Sequence, residues 1–292
     1  MSFIKTINFI TKHPLNKSNK LKALLCFVKW QINTMINPYP VIYPFTEKSK
    51  LIISKGMTGA TGNLYCGLHD FSEMSFLLHF LRKDDIFVDV GANIGSYTIL
   101  ASAHVGAYSI AFEPVLNTYN FLIKNISINQ ISDKVTAYNK AVGNNNGTIN
   151  ITTGFDTMNH ISLKNEHNTL EVAVCKLDDI LKEKIPTLIK IDVEGFETEV
   201  LNGAEKILKS EQLKAIIIEL NGSGNRYGYD EKKIHDDLIN IGYSPYIYEP
   251  FKRQVVKTDS FGKNNTIYIK DINYVNQRIC TADKINIHSY SY

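Results

Sequence analysis

The chain has no cysteine framework. Only four of its 292 residues are cysteine, Cys26, Cys66, Cys175 and Cys280, and no two form a CxxC pair. Neither a zinc knuckle nor a disulfide scaffold is suggested, so a reducing compartment is the expectation. Strong charge of one sign is also missing. The balance is 32 − 29 = +3, too weak to argue for a nucleic-acid partner. No apolar run approaches the roughly 18 residues that a membrane-spanning helix needs. In the opening "MSFIKTINFITKHPL", Lys5, Asn8 and Lys12 interrupt what a signal peptide would keep apolar. The sequence therefore reads as cytoplasmic. It has no internal repeat and no low-complexity tract.

What is present is a globular composition, 44% hydrophobic and 21% charged, with enough apolar residues to bury a core. Residues 1–48 read as an N-terminal helical extension. Leu21, Leu24, Leu25, Val28, Ile32 and Met35 recur at helical spacing, with Lys17, Lys20, Lys22 and Lys29 around them. Such a helix either docks on the following domain or offers a surface to an anionic membrane or another partner. The prolines of "NPYPVIYPF" then end it.

Residues 49–272 read as the main domain and 273–292 as a C-terminal tail. "KLIISKG" is a short strand, and "DFSEMSFLLHFL" a helix with Asp70 or Ser72 near its cap. Strands and helices then alternate: "DIFVDVG", "SYTILASAHV", "YSIAFEP", "VLNTYNFLIKNISIN", "VTAYNKAV", "TLIKIDVEG", "FETEVLNGAEKIL", "LKAIIIEL" and "DEKKIHDDLINI". Near-continuous apolar strands between amphipathic helices predict an α/β fold, a mostly parallel sheet covered on both faces. At the end, "YSPYIYEP" and "NNTIYIKD" follow each other without a helix, which predicts antiparallel strands.

In such a sheet ligands sit at the carboxyl ends of the strands. The first of these strands ends at Asp89, and Gly91, Asn93 and Gly95 follow. Glycines let backbone approach a ligand closely. The next strand ends in "FEP", placing Glu113 where a carboxylate can accept both hydroxyls of a ribose. A dinucleotide turn would read GxGxxG; here Asn93 takes the middle position and Asp89 would repel a phosphate. A cationic nucleoside ligand with a sulfonium and an ammonium, S-adenosylmethionine, fits better than NAD. Downstream, "IKIDVEG" brings Asp192 and Glu194 to another strand end. They could orient a hydroxyl, act as a base or hold a divalent cation; alternatively Glu194 caps the next helix. No ligand spacing supports a metal, and none is expected. His160, in the polar break "FDTMNHIS", is a third candidate base, on a loop that could cover the acceptor. In "ELNGSGNRYGYD", Glu219 and Asn221 end a strand beside Asp192, and Arg226 and Tyr227 either grip an acceptor or belong to a plain connection. Tyr243, Tyr246, Tyr248 and Phe251 read as packing residues more than as a sugar platform.

The segments "FVDVGANIGSYTILAS", "AFEPVLNTYNFLIKNISIN", "KAVGNNNGTINI", "VCKLDDIL", "LIKIDVEGFETEVLNGA" and "GKNNTIYI" together resemble the FkbM family of S-adenosylmethionine-dependent methyltransferases, over roughly residues 50–270. The resemblance implies a class I methyltransferase (Rossmann-like) core with an antiparallel last strand. It implies that Asp89, Gly91, Ala92, Asn93 and Gly95 line the methionine and ribose part of the cofactor. Glu113 would take the ribose hydroxyls. Pro114, Ala141 and Val142 would lie by the adenine, and Asp192 would face the methyl. The reaction implied is methylation of a hydroxyl on a small molecule or glycan, most often a sugar. The rival readings are a nucleoside-binding scaffold without chemistry and an NAD-dependent oxidoreductase.

Overall fold

The computed structural model describes residues 3–153, 159–163 and 166–292, the side chain of Thr58 excepted. The chain begins with helices α1 (Phe3–Lys12) and α2 (Lys20–Ile36), then the hairpin β1 (Val41–Thr46) and β2 (Ser49–Ile53), then α3 (Thr58–Cys66) and α4 (Phe71–Phe80). The alternating part follows: β3 (Ile86–Val90), α5 (Ser96–Ile99) running on into a π-helical turn Leu100–Val105, β4 (Tyr108–Phe112), α6 (Leu116–Ile128) and β5 (Val135–Tyr138). Three short strands come next, β6 (Ala141–Val142), β7 (Gly147–Thr152) and β8 (Thr169–Cys175). After α7 (Leu177–Leu181) come β9 (Leu188–Ile191), α8 (Glu197–Asn202), α9 (Glu205–Lys209), β10 (Ala215–Glu219) and α10 (Glu231–Asn240). The end is β11 (Ser244–Glu249), β12 (Gln254–Lys257), β13 (Asn265–Ile269), α11 (Ile272–Thr281) and the small hairpin β14 (Asn286–Ile287) and β15 (Tyr290–Ser291).

The main sheet has the order β12-β11-β13-β10-β9-β3-β4-β5. Strands β5, β4, β3, β9 and β10 are parallel neighbours, and β13 runs antiparallel between β10 and β11. This is the α/β sheet with an antiparallel end that the sequence predicts. β3, β4 and β9 bury nearly every residue, as strands covered on both faces must. One apolar layer joins α4, α5, α6 and α11 to the sheet, and the other joins α8, α9 and α10 to it. The reversal of direction on either side of β3, toward β4 one way and β9 the other, puts the carboxyl ends of β3, β4, β9 and β10 around one crevice.

Four local readings change. "VTAYNKAV" is two strands: β5 stays in the main sheet, while β6 pairs with β8 in a separate three-stranded sheet. The break falls at Asn139, whose amide donates to the carbonyls of Glu113 and Pro114 at 2.9 Å each. "FETEVLNGAEKIL" is two helices divided at Gly203, where a Cβ would stand 2.1 Å from the Gly143 carbonyl oxygen. β12 adds an edge strand within the expected polar loop; Val255 buries while Val256 faces out, the period of two that a strand allows. Finally, α2 does dock on the domain, but through Ala23, Phe27 and Trp30. The stripe at 21, 25, 28, 32 and 35 faces solvent.

Residues 273–292 are packed: Val275, Ile279, Ile285, Ile287 and Tyr292 join the same core as α1 and α2. Arg278 ion-pairs with Asp85 at the start of β3. No helix among the described residues is long and apolar enough to cross a membrane.

Candidate active site

β3 ends in Asp89 and Val90, and the chain must then turn sharply to enter α5. Gly91 sits at φ +79°, and a Cβ there would lie 1.8 Å from the Asp192 carbonyl oxygen. Only glycine allows this approach of two strand ends. The amides of Gly91 and Ala92 both donate to the Phe112 carbonyl, at 3.0 and 2.9 Å, which ties the turn to the end of β4. Asn93 takes a left-handed conformation, φ 52°, and its side-chain oxygen accepts from the Ile94 amide at 2.8 Å. Gly95 stands apart. It is the left-handed cap of α5, a Cβ on it would meet Leu122 at 2.5 Å, and it does not line the crevice. Its role there is packing.

Glu113, one residue beyond β4, is almost wholly buried. Its two carboxylate oxygens accept from the Asn93 amide at 3.0 Å and the Val115 amide at 2.9 Å. Burial pushes its carboxyl up to about 7, against the pull of those two amides. Asp89 is 1% exposed. Its Oδ2 accepts from the Thr98 amide and hydroxyl at 3.1 and 2.7 Å, and its Oδ1 has no partner among the described residues. Burial also raises this carboxyl, opposed by Lys190. A buried acceptor left over at a strand end is costly unless a ligand supplies the donor.

β9 leaves through "IKIDVEG". Lys190 and Asp192 point to the same side, Nζ 2.8 Å from Oδ2, and the ammonium also lies 4.8 Å from the Tyr97 ring centre. Burial alone would lower the Lys190 pKa, but Asp192 and Asp89 more than offset it, and the group is held charged. Glu194 is left-handed, φ 55°. It does not cap the following helix. Glu197 clasps the turn instead, accepting from the Val193 and Gly195 amides at 3.2 Å each. That leaves the Glu194 carboxyl beside Asp192 and Glu219. The three offer oxygens all within 4.8 Å of one another. Burial first, then the Asp192 charge, lifts Glu194 to about 7 and Glu219 to about 9. Three carboxylates this close take up protons or a cation; nothing further among the described residues marks an ion site.

These side chains line one cavity of about 330 Å³. Of the sequence candidates, Asp89, Gly91, Ala92, Asn93, Glu113, Pro114, Ala141, Val142, Asp192, Glu194 and His160 are on its wall. Six carboxylates face two lysines there, Lys140 and Lys190, a setting that favours a cationic ligand. His160 is brought in by an isolated bridge between Ile151 and Ile161 and by bonds between Thr152 and its backbone. Its Nε2 lies 3.0 Å from Glu166. Residues 155–158 of the polar break before it lie outside the described residues. Arg226 and Tyr227 are off the wall; the Tyr227 hydroxyl donates to the Ile161 carbonyl at 2.8 Å, so the loop after β10 buttresses the His160 segment. Asn221 bonds its own turn at Ser223. Tyr243 and Tyr248 are core residues, and Phe251 packs against Phe71, Tyr290 and Tyr292.

The wall also holds residues that the sequence reading passes over: Asn63, Asp70, Met74, Tyr97 and Asn265. Tyr97 donates to Asp70 at 3.0 Å. The Oδ1 of Asn265, on β13 opposite Glu219, is a second buried acceptor without a partner among the described residues. No local pattern in the sequence marks it; it reaches the crevice because β13 runs antiparallel beside β10 and so begins where the parallel strands end.

The methyltransferase FkbM domain family matches residues 89–245, from the acid that ends β3 into β11. Hexuronic acid methyltransferase AglP of Haloferax volcanii is 26% identical over 161 residues, 54% of this chain and 63% of that protein. Methyltransferase sdnD of Sordaria araneosa is 26% identical over 173 residues, 47% of this chain and 66% of that protein. The chain thus spans less than two thirds of the length of these curated relatives. Among solved structures, M. jannaschii TYW2 in complex with AdoMet aligns with 79% of this chain and 84% of its own, at 12% identity and a TM-score of 0.42.

Proposed function

This chain belongs to the FkbM methyltransferase domain family, and on that premise we propose that it methylates a hydroxyl, on a sugar of a glycan or glycoconjugate, using S-adenosylmethionine. The observation that carries the reading is the pair of carboxylates at neighbouring strand ends, Asp89 with its unpartnered buried oxygen and Glu113 fixed by two backbone amides, on one wall of one cavity. The naming of one relative as a hexuronic acid methyltransferase supports a sugar acceptor.

The residues fit the cofactor. Asp89 offers a desolvated acceptor to an ammonium, Glu113 offers oxygens to ribose hydroxyls, and the Gly91–Asn93 turn admits backbone contact. Pro114, Ala141 and Val142 supply an apolar wall for a base. S-Adenosylmethionine, when bound, supplies a methyl group made electrophilic by its sulfonium.

The chain's own task is then to position an acceptor hydroxyl and take its proton. Asp192, paired with the Lys190 ammonium, accepts a hydrogen bond from the hydroxyl and orients it. Glu194, lifted to about 7, is poised near neutrality and receives the proton. Glu219, lifted to about 9, holds a proton at neutral pH and keeps the acidic trio from mutual repulsion. His160, with Glu166 on its Nε2, positions the acceptor. The test is transfer of labelled methyl from S-adenosylmethionine to a panel of neutral, uronic and amino sugar glycosides, read by mass spectrometry. A methyl ether on any of them that Asp192→Ala abolishes, with cofactor affinity retained, supports the reading. Cofactor binding with no transfer to any hydroxyl in the panel counts against sugar O-methylation.

A further inference from the structure

Helix α2 has two apolar faces, and the domain uses one. Ala23, Phe27 and Trp30 are buried. The Phe27 ring meets Tyr65 edge-on at 5.3 Å between centres, and Gln31 donates to the Tyr65 hydroxyl at 3.4 Å. The helix is therefore fixed in rotation about its own axis. On the far side Leu21, Leu25, Val28, Ile32, Met35 and Ile36 are exposed, Leu21 by 76% and Met35 by 82%. At about 100° per residue these six project within an arc of roughly 100°. A helix docked on one face normally shows water a polar opposite face, and a contiguous exposed apolar stripe marks a contact surface.

The charge around it selects the occupant. Residues 1–46 contain six lysines, Lys5, Lys12, Lys17, Lys20, Lys22 and Lys29, and no aspartate or glutamate. The remaining residues carry 26 basic groups (32 − 6) against all 29 acidic ones, a balance of −3. The basic excess of the chain thus lies wholly in this segment. All six lysines are exposed. On the helical wheel Lys22 and Lys29 fall along one flank of the stripe. A second copy of this chain packed stripe to stripe would find no acid there to meet them, and like charges would be brought together. An anionic bilayer meets both demands: apolar side chains enter the acyl boundary while the lysines reach headgroup phosphates.

We propose that α2 is a membrane-surface helix, which seats the protein on an anionic lipid bilayer through the stripe Leu21, Leu25, Val28, Ile32, Met35 and Ile36 without crossing it. The seat is pre-organised, because the opposite face is already packed on the domain. This inference does not depend on the reaction proposed above.

The experiment is co-sedimentation of the full chain with vesicles of phosphatidylcholine alone and of phosphatidylcholine mixed with phosphatidylglycerol, at low and high salt. The expected result is binding to the anionic vesicles about tenfold tighter than to the neutral ones, weakened by salt. The double variant Leu25→Asp, Met35→Asp should lose that binding by about tenfold or more while keeping the wild-type melting temperature. The pair Lys22→Glu, Lys29→Glu should lose the preference for anionic lipid. No vesicle binding, or equal binding to both compositions, overturns the proposal. So does a concentration-dependent dimer, seen by light scattering and abolished by Leu25→Asp, Met35→Asp, in a protein that ignores vesicles.

Discussion

The Lys190 ammonium and the Asp192 carboxylate, two residues apart at the end of β9, form an ion pair of 2.8 Å whose cation is buried and whose anion lines the cavity. Asp89 on the neighbouring strand lies in register with Lys190. One lysine thus neutralises acids from two strand ends. Replacing it by Met, which fills similar space, leaves those carboxylates without a cation. Lys190→Met should lower stability by about 3 kcal/mol at neutral pH. The deficit should shrink toward pH 5 as Asp89, whose carboxyl burial already raises and Lys190 no longer holds down, takes up a proton. Urea denaturation at the two pH values measures both.

Glu194 is lifted to about 7 by burial and by Asp192. If it takes the acceptor proton, kcat of the wild type rises with pH through about 7 and then levels. Glu194→Gln should lower kcat by about 10²–10⁴ and remove that limb of the profile, with little change in cofactor affinity. An unchanged pH–rate profile in the variant would assign the base elsewhere.

The cofactor-free protein should lose stability as the solution becomes more alkaline. Glu113, Glu194 and Glu197 are raised to about 7 and Glu219 to about 9, each chiefly by burial. Between the ordinary glutamate range and these values the folded chain holds protons that the unfolded chain has released. Their stabilising contribution is full below the unfolded value, and it falls as pH rises through the folded ones. Below about pH 6.5 the buried His13, His79 and His104, lowered to about 4, oppose this trend. Melting temperature should therefore decline from about pH 7 to about pH 9, and Glu219→Gln should flatten the upper part of that decline. A melting temperature that rises over this window contradicts the raised glutamate carboxyls.

Gly91→Ala tests the approach of two strand ends. The added Cβ would stand 1.8 Å from the Asp192 carbonyl oxygen at a left-handed φ, so β3 and β9 must separate. A loss of about 2 kcal/mol or more is expected, together with weaker binding of S-adenosylhomocysteine. Thermal melting and calorimetry on the same sample separate the two effects.

The alternation of strands and helices was legible in the sequence because apolar runs buried on both faces leave no other reading. So was most of the cavity wall, since strand ends are where an α/β sheet exposes chemistry. Three features were not legible. Periodicity in α2 identified a helix but not its buried side, because Ala23, Phe27 and Trp30 form as good a stripe as the leucines opposite. The choice is made by the shape of α3 and its Tyr65, which no local pattern contains. Glu194 and Glu197 both stand near a helix start, and only the left-handed turn at Glu194 decides that Glu197 clasps the Val193–Gly195 turn while Glu194 faces the cavity. Asn265 reaches the wall through its pairing with β10, a contact between residues far apart in the chain.

The most direct measurement is calorimetric titration of the purified chain with S-adenosylhomocysteine and, separately, with NAD. Binding of S-adenosylhomocysteine is expected, weakened by about 100-fold or more in Glu113→Ala, which removes the acceptor for two hydroxyls. Binding of NAD in its place, or of neither ligand, would contradict the account.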